Sequence, residues 1–433
     1  MVDVRPFRGW RYDPEVVGDL SSVLCPPYDL ITPQLQSSLR QLSPYNVVHL
    51  EAGEGLDWDA PAQDQYSRTA ALFGEWIERG ILRRDPENCL YLLRHRFVHG
   101  TLARVRLVLI AGVLLEEYTT GRILPHEYTE EPAIRDRVSL MEACNANFSP
   151  IMSLYRDRRL ELTEVFGEVM GRPATLDVRD DMGQEYEFWR ITDPRVQESI
   201  GRFFSDKSIF LADGHHRYEA ALRLRQKRSL RDPRASAVNA ASNFVLMGLT
   251  AFEDPGLVVL PYHRVLGSLP PNRYTQIQER LHQLFEARPM DWPPEGGADV
   301  LVEQVAHQGR DRHALAMAGP DRQTAHLLTL RQGVDWRRWG PLAVSEAWIL
   351  EEKVLKPVLG DATLSHLGYI HDHREAVDQV HSGAQQLAFL LKPFPMAQFE
   401  SIVGQGHRLP RKSTFFYPKL PTGLVINQLD GAL

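Results

Sequence analysis

Apolar and polar positions follow each other along the chain in short blocks, and the period changes from block to block. Within residues 89–116, "CLYLLRHRFV" and "LARVRLVLIAGVLL" flank "HGT", which predicts a β-hairpin. The nine apolar residues 107–115 suit a buried strand and are far too few to span a membrane. Tyr66, Ala70, Leu72, Phe73 and Trp76 recur at helical spacing, which predicts a helix over 64–79. A long polar stretch, "TTGRILPHEYTEEPAIRDR", reads as a loop before a helix at 138–145.

"SPIMSLY", "SNFVLMGLTAF" and "GLVVLPYHRVL" read as strands, "ATLDVRDD" and "EYEFWRITD" as a second hairpin, and 160–170 and 195–203 as helices. The final third predicts strands at 313–317 and 325–330 and helices at 345–358 and 374–382. Pro and Gly punctuate 266–300, so a boundary near 255–300 is expected. The pattern predicts a mixed α+β fold with parts at 1–88, 89–255 and 256–433.

One stretch, "IFLADGHHRYEAALRLR", predicts a buried strand, a sharp turn and a helix. Tyr218, Ala221 and Leu222 fall at i, i+3 and i+4, one inward face. Asp213 suits the cap and Gly214 the tight turn. His215, His216 and Arg217 then occupy the first helical turn, where unpaired N–H groups and the dipole favour an anion. An arginine there can grip phosphate through two parallel hydrogen bonds. Capping alone accounts for Asp213 and Gly214 but not for His-His-Arg. Zinc is the weaker reading, because adjacent helical residues point about 100° apart.

Composition narrows the classes. With 433 residues, more than one core is expected. A net charge of −7 argues against a bulk pull toward nucleic acid or anionic membrane. Three scattered cysteines without a CxxC fit a reducing compartment, and the charged N-terminus lacks a signal-like apolar run, so a soluble cytoplasmic protein is expected. HExxH, Walker A and GxSxG patterns are absent from the sequence.

"ADGHHRYEAA" resembles the phosphate-binding turn of the ParB and sulfiredoxin superfamily, and within it the Asp-Gly-x-His-Arg turn of the free-serine kinases. More of the chain resembles a bacterial and archaeal family known as domain of unknown function 1015. The stretches that carry this are "RPFRGWRYDP", "PPYDLI", "PYNVVHLE", "LPHEYT", "DRVSLMEACNANFSPIMSLY", "LADGHHRYEAAL", "LPYHRV" and "RKSTFFYPKLPTGLV". The resemblance implies a ParB/sulfiredoxin-like core over 89–255 with N-terminal and C-terminal extensions, and ADP or ATP with Mg²⁺ as cofactors. It implies a small-molecule kinase, with free L-serine as the first candidate acceptor.

In the resembling kinases a "pHE" glutamate is taken as the base. Here "ILPHEYTEE" offers His126 and Glu127, so Glu127 is the implied base and His126 a phosphate contact. In those kinases the two stretches are close in sequence; here Glu127 and Asp213 are 86 residues apart (213 minus 127). Asp213 would orient the acceptor hydroxyl or a metal-bound water. The alternatives are a ParB-like nucleotide switch with a protein or DNA partner, and a scaffold without turnover.

Other groups are possible additions to the site. "RLPRKSTFFYPKL" carries Lys412, Ser413, Thr414 and Lys419, and 406–425 is a candidate to return to the site. "LPYHRVL" carries His263 and Arg264. Asn147 and Ser149 are candidates for a polar wall, whereas Asp136 and Arg137 read as a structural pair. "YIHDH" would put His371 and His373 on one face of a strand, although a surface loop is the plainer reading and no protein metal ligand is assigned. "RLRQKRSLRDPR" has six basic residues in twelve, read as a charged helix face rather than a DNA surface.

Overall fold

The hairpin at 89–116 becomes the spine of a nine-stranded sheet. The computed structural model describes residues 1–52, 63–231, 237–292, 296–322 and 324–433. Two compact units emerge: Met1–Val258 with Pro418–Leu433, and Val259–Tyr417.

The sheet of the first unit contains β1 (Val4–Arg5), β2 (Leu90–His99), β3 (Leu102–Leu114), β4 (Ile123–Leu124), β5 (Ile151–Tyr155), β6 (Leu176–Arg179), β7 (Glu185–Ile191), β8 (Ile209–Leu211) and β9 (Phe244–Ala251). The order is β4-β8-β5-β9-β3-β2-β7-β6, with β1 added to β3. The hairpin β2–β3 closes at His99↔Leu102, leaving Gly100 and Thr101 as the loop, and Gly100 takes the positive φ of 60° that the turn needs. Along β3, residues 102–105 are mostly exposed, whereas 108–113 are buried without a break. The second half is covered on both faces, which is why the sequence shows a continuous apolar run there.

Helices of the first unit include α1 (Gln63–Glu78), α2 (Glu131–Cys144), α3 (Glu161–Met170), α4 (Pro194–Phe204) and α5 (His215–Arg231). Tyr218, Ala221 and Leu222 of α5 are buried in one apolar cluster with Leu92, Leu109, Val113, Ile151, Leu211 and Met247. Residues from Tyr12 to Leu82 share a second cluster with Leu140, Cys144, Phe148 and Ile426.

The expected α+β class is what the structure has. Two local expectations are corrected, and one conditional reading, the strand that would have carried both His371 and His373, is ruled out. Helix α2 starts at Glu131, not at 138, because Pro132 sits in its first turn, where a missing N–H costs nothing. "GLVVLPYHRVL" is two strands, Val258–Leu260 and His263–Leu266, interrupted at Pro261 and Tyr262. His371 and His373 do not share a strand: the strand ends at Ile370, and Asp372 caps a helix over His373–His381.

In the second unit a six-stranded antiparallel sheet holds β10 (His263–Leu266), β11 (Phe285–Asp291), β12 (Ala314–Ala318), β13 (Thr324–Leu330), β14 (Leu367–Ile370) and β15 (Leu387–Leu390), in the order β11-β13-β12-β15-β10-β14. Among the described residues, no helix is long and apolar enough to cross a membrane.

Candidate functional site

Strand β8 runs parallel to β4, with Ile209↔Ile123 and Phe210↔Leu124, and antiparallel to β5, with Leu211↔Ser153. The carboxyl ends of β4 and β8 and the start of β5 therefore open on one edge of the sheet. In open sheets of this kind such an edge is the usual place for a ligand. Three segments meet there: 125–130 after β4, 212–217 after β8, and 149–150 before β5.

The 212–217 turn is tight because Gly214 takes a φ of 88°. The Gly214 carbonyl accepts from Tyr218 N–H at 3.0 Å, so Gly214, not Asp213, stands at the cap. Asp213 is thereby released for side-chain work. One of its oxygens accepts from Arg217 Nη2 at 2.7 Å, and the other from Lys419 Nζ. The three side chains are only 8–12% exposed in the Arg217–Asp213 pair and 6% at Lys419. Two cations thus converge on one carboxylate at a helix N-terminus. The formal surplus of one positive charge, added to the dipole, suits an anion.

The 125–130 loop is tied to this helix start by its own backbone. His126 N–H donates to His215 Nε2 at 3.2 Å, and Glu130 N–H donates to His216 Nε2 at 3.0 Å. Both acceptors must be unprotonated at Nε2, so both imidazoles are neutral in this arrangement. His126 Nδ1 donates to the Leu211 carbonyl at 2.6 Å, and its ring meets His215 edge-on with centroids 4.5 Å apart. That leaves His126 Nε2 facing Glu127 Oε1 at 3.7 Å. Burial lowers the His126 pKa; Glu127 and Asp213 oppose this and Lys419 reinforces it. The structure thus brings His126 and Glu127 beside Gly214–Arg217, across 86 residues of sequence (213 minus 127).

A polar wall stands behind Arg217. Arg217 Nη1 donates to the Pro150 carbonyl at 2.8 Å. Ser149 Oγ shares a 2.7 Å hydrogen bond with Thr422 Oγ1. Asn147 Oδ1 accepts from Leu246 N–H at 3.1 Å, and its backbone pairs with Asn427. Arg137 binds Asp136 Oδ2 at 2.5 Å, reaches Glu51 Oε1 at 3.4 Å, and lies over the Tyr28 ring at 4.1 Å. Burial raises the Tyr28 phenol pKa; among the charges acting on it, Arg137 and Arg217 oppose that rise and Asp213 adds to it.

Tyr28 and Glu51 were not among the residues singled out from the sequence. They lie in "PPYDLI" and "PYNVVHLE", and Glu51 is a buried acid in the same helical turn as the buried Val48 and Leu50. That pattern is the signal that finds it.

Lys419, from the returning segment, reaches the site. His263, Arg264, Lys412, Ser413 and Thr414 belong to the second unit. There His263 Nδ1 accepts from Leu391 N–H at 3.1 Å, and burial pushes its pKa down to about 3. Ser413 Oγ donates to the Pro410 carbonyl at 2.6 Å, and Lys412 Nζ lies 5.1 Å from the Tyr262 ring centre. Thr414 is buried.

The basic run of α5 is spent within the first unit. Arg223 pairs with Glu131, Arg225 with Glu117, Lys227 and Arg231 with Glu142, and Arg228 with the Asn145 side chain. Residues 232–234 of that stretch lie outside the described residues. All three cysteines are buried; burial raises the thiols, Cys89 to about 11 and Cys144 to about 12, so none is a poised nucleophile. A cleft of about 730 Å³ beside Arg158, Arg159 and Arg202 is at the opposite edge of the sheet, where β5 ends.

Residues 4–357 match the family described as "Protein of unknown function (DUF1015)", and the chain belongs to that family. No curated protein matches the chain. Among solved structures, the chain is similar to a free serine kinase variant in complex with AMP, at 13% identity and a TM-score of 0.35, covering 73% of this chain and 92% of that one. A second variant of free serine kinase, in complex with ADP, gives 11%, 0.34, 74% and 93%. A conserved hypothetical protein from Pyrococcus furiosus gives 11%, 0.32, 73% and 95%.

Proposed function

We propose that the first unit is a nucleotide-dependent phosphotransferase that uses ADP or ATP with Mg²⁺ to phosphorylate a small hydroxylated metabolite, with L-serine the first candidate. The observation that carries this reading is the pinning of the Glu127 loop to the Gly214–Arg217 helix start through His215 and His216. A base and an anion site then share one sheet edge, which is the minimum that phosphoryl transfer to an alcohol requires.

In this reading the α5 N-terminus, Arg217 and Lys419 hold the phosphates. Glu127 takes the acceptor's hydroxyl proton as its oxygen bonds to the terminal phosphorus. The bond from that phosphorus to the bridging oxygen breaks, and AMP leaves from ADP, or ADP from ATP. His126 fixes the loop and faces Glu127. Asp213 holds the two cations and orients the hydroxyl.

Magnesium is commonly held by one or two carboxylates together with substrate phosphates. Glu127 on the 125–130 loop and Asp213 on the 212–217 turn are the carboxylates that would hold it, and the ion would supply charge neutralisation on the phosphates.

Phosphorus NMR of the protein with Mg²⁺, ADP or ATP, and L-serine tests the reading. A new phosphomonoester signal, absent in Arg217→Ala and Glu127→Gln, is expected. Free phosphate alone would point to a nucleotide switch, and no nucleotide binding by calorimetry would leave a scaffold.

A further inference from the structure

Beside Arg217 on the polar wall is a cavity of about 30 Å³. Its polar lining is Glu51, Arg137, Asn147, Ser149 and Arg217, and each of the five is more than nine-tenths buried. Space of this size takes one or two waters, or a planar group of three heavy atoms. A tetrahedral phosphate is too large for it.

The hydrogen-bonding balance of the lining is uneven. Arg217 Nε–H is buried and has no acceptor. The Asn147 amide N–H finds only the Met141 sulfur, at 3.2 Å, a weak acceptor. Ser149 Oγ can donate into the cavity whenever Thr422 donates to it. A buried donor without an acceptor is costly, so a lining with surplus donors favours an occupant that only accepts. Glu51 is the one carboxylate in the lining, and its contact with Arg137 Nη1 is long at 3.4 Å. It repels a bare anion but offsets an ammonium attached to one.

We propose that this cavity is the acceptor's carboxylate subsite, with Arg217 Nε, Asn147 and Ser149 as donors and Glu51 offsetting an α-ammonium. The substrate class is then a small zwitterionic hydroxy-amino acid rather than a simple alcohol or amino alcohol. The proposal rests on the phosphotransferase reading and narrows its acceptor.

The test changes the substrate first and leaves the full chain intact. With Mg²⁺ and nucleotide, kcat/KM is compared for L-serine, D-glycerate, ethanolamine and glycerol. Sites built to hydrogen-bond a group discriminate strongly against analogues that lack it. L-serine is expected to exceed ethanolamine and glycerol by about 100-fold or more, with glycerate between them. Glu51→Gln is expected to move the serine-to-glycerate ratio toward glycerate by about tenfold, a shift that general loosening of the fold does not produce.

Equal rates for serine and ethanolamine overturn the subsite. If no acceptor is phosphorylated, calorimetry of L-serine and ethanolamine on the nucleotide-loaded chain separates the two ideas. Serine binding alone would keep the subsite and sink phosphoryl transfer, whereas no preference for serine would sink the subsite.

Discussion

Arg217, in the first turn of α5 in the first unit, and Arg264, on strand β10 of the second, are both more than nine-tenths buried. Their guanidinium groups are used very differently. Arg264 directs Nε and Nη2 to Glu351 Oε1, Nη1 to the Tyr262 and Lys412 carbonyls, and Nη2 also to the Arg411 carbonyl, so all five N–H donors have acceptors. Arg217 has Asp213 and the Pro150 carbonyl, and its Nε has none. A saturated guanidinium is a structural clamp; one with a spare buried donor beside a helix N-terminus has capacity left for a ligand. Sequence context makes Arg217 a phosphate contact and Arg264 a possible addition to the site, and the count of acceptors separates them.

The sharpest way to break this comparison is to remove each group. Arg264→Ala leaves Glu351 and three carbonyls without their cation, and loss of one partner of a buried pair costs about 3–5 kcal/mol. A large drop in the denaturant midpoint is expected, with nucleotide affinity kept by whatever fraction remains folded. Arg217→Ala is expected to do the opposite: a smaller loss of stability and loss of nucleotide binding by calorimetry. Similar profiles for the two variants would erase the distinction.

Glu127→Gln comes next. Turnover is expected to fall by about 10²–10⁴-fold, the usual worth of a positioned base, with nucleotide affinity little changed. Lys419→Ala is expected to weaken nucleotide binding by about tenfold, as loss of one charge-assisted contact would, with Lys419→Arg retaining most of it.

The smallest effect is on pH. Burial lowers the pKa of His126 and of His263, the latter to about 3. Below about 6.5 the unfolded chain takes up protons that the folded chain refuses, so stability falls as pH drops from 6.5 toward the lowered folded values. His263→Gln is expected to flatten that slope between pH 6 and 4 in urea titrations.

Much of the fold was legible because its signals are local. Period-two and period-3.6 patterns marked the hairpins and helices, and the Asp213–Arg217 turn announced itself by crowding special residues behind an apolar strand. The juxtaposition of Glu127 with Gly214 was not legible. It depends on a two-residue strand, Ile123–Leu124, lying parallel to Ile209–Leu211, and two residues carry no periodicity. Arg137 read as half of a structural pair because its neighbour Asp136 was the only partner visible in sequence. Its burial against Glu51 and Tyr28 comes from distant segments. Asp213 was read as a cap, and a one-residue shift at Gly214 freed its carboxylate for two cations.

The Lys419–Asp213 contact also sets a clock on biosynthesis. The two residues are 206 positions apart, and the whole of Val259–Tyr417 is made between them. At about 5–20 residues per second, the ribosome delivers Lys419 roughly 10–40 s after Asp213. During that interval the nascent first unit holds its acid with Arg217 alone, and the second unit has time to fold as an inserted body before the chain returns. Completion of this pair of cations therefore waits for Lys419, and chains released before it carry the turn but not its second cation.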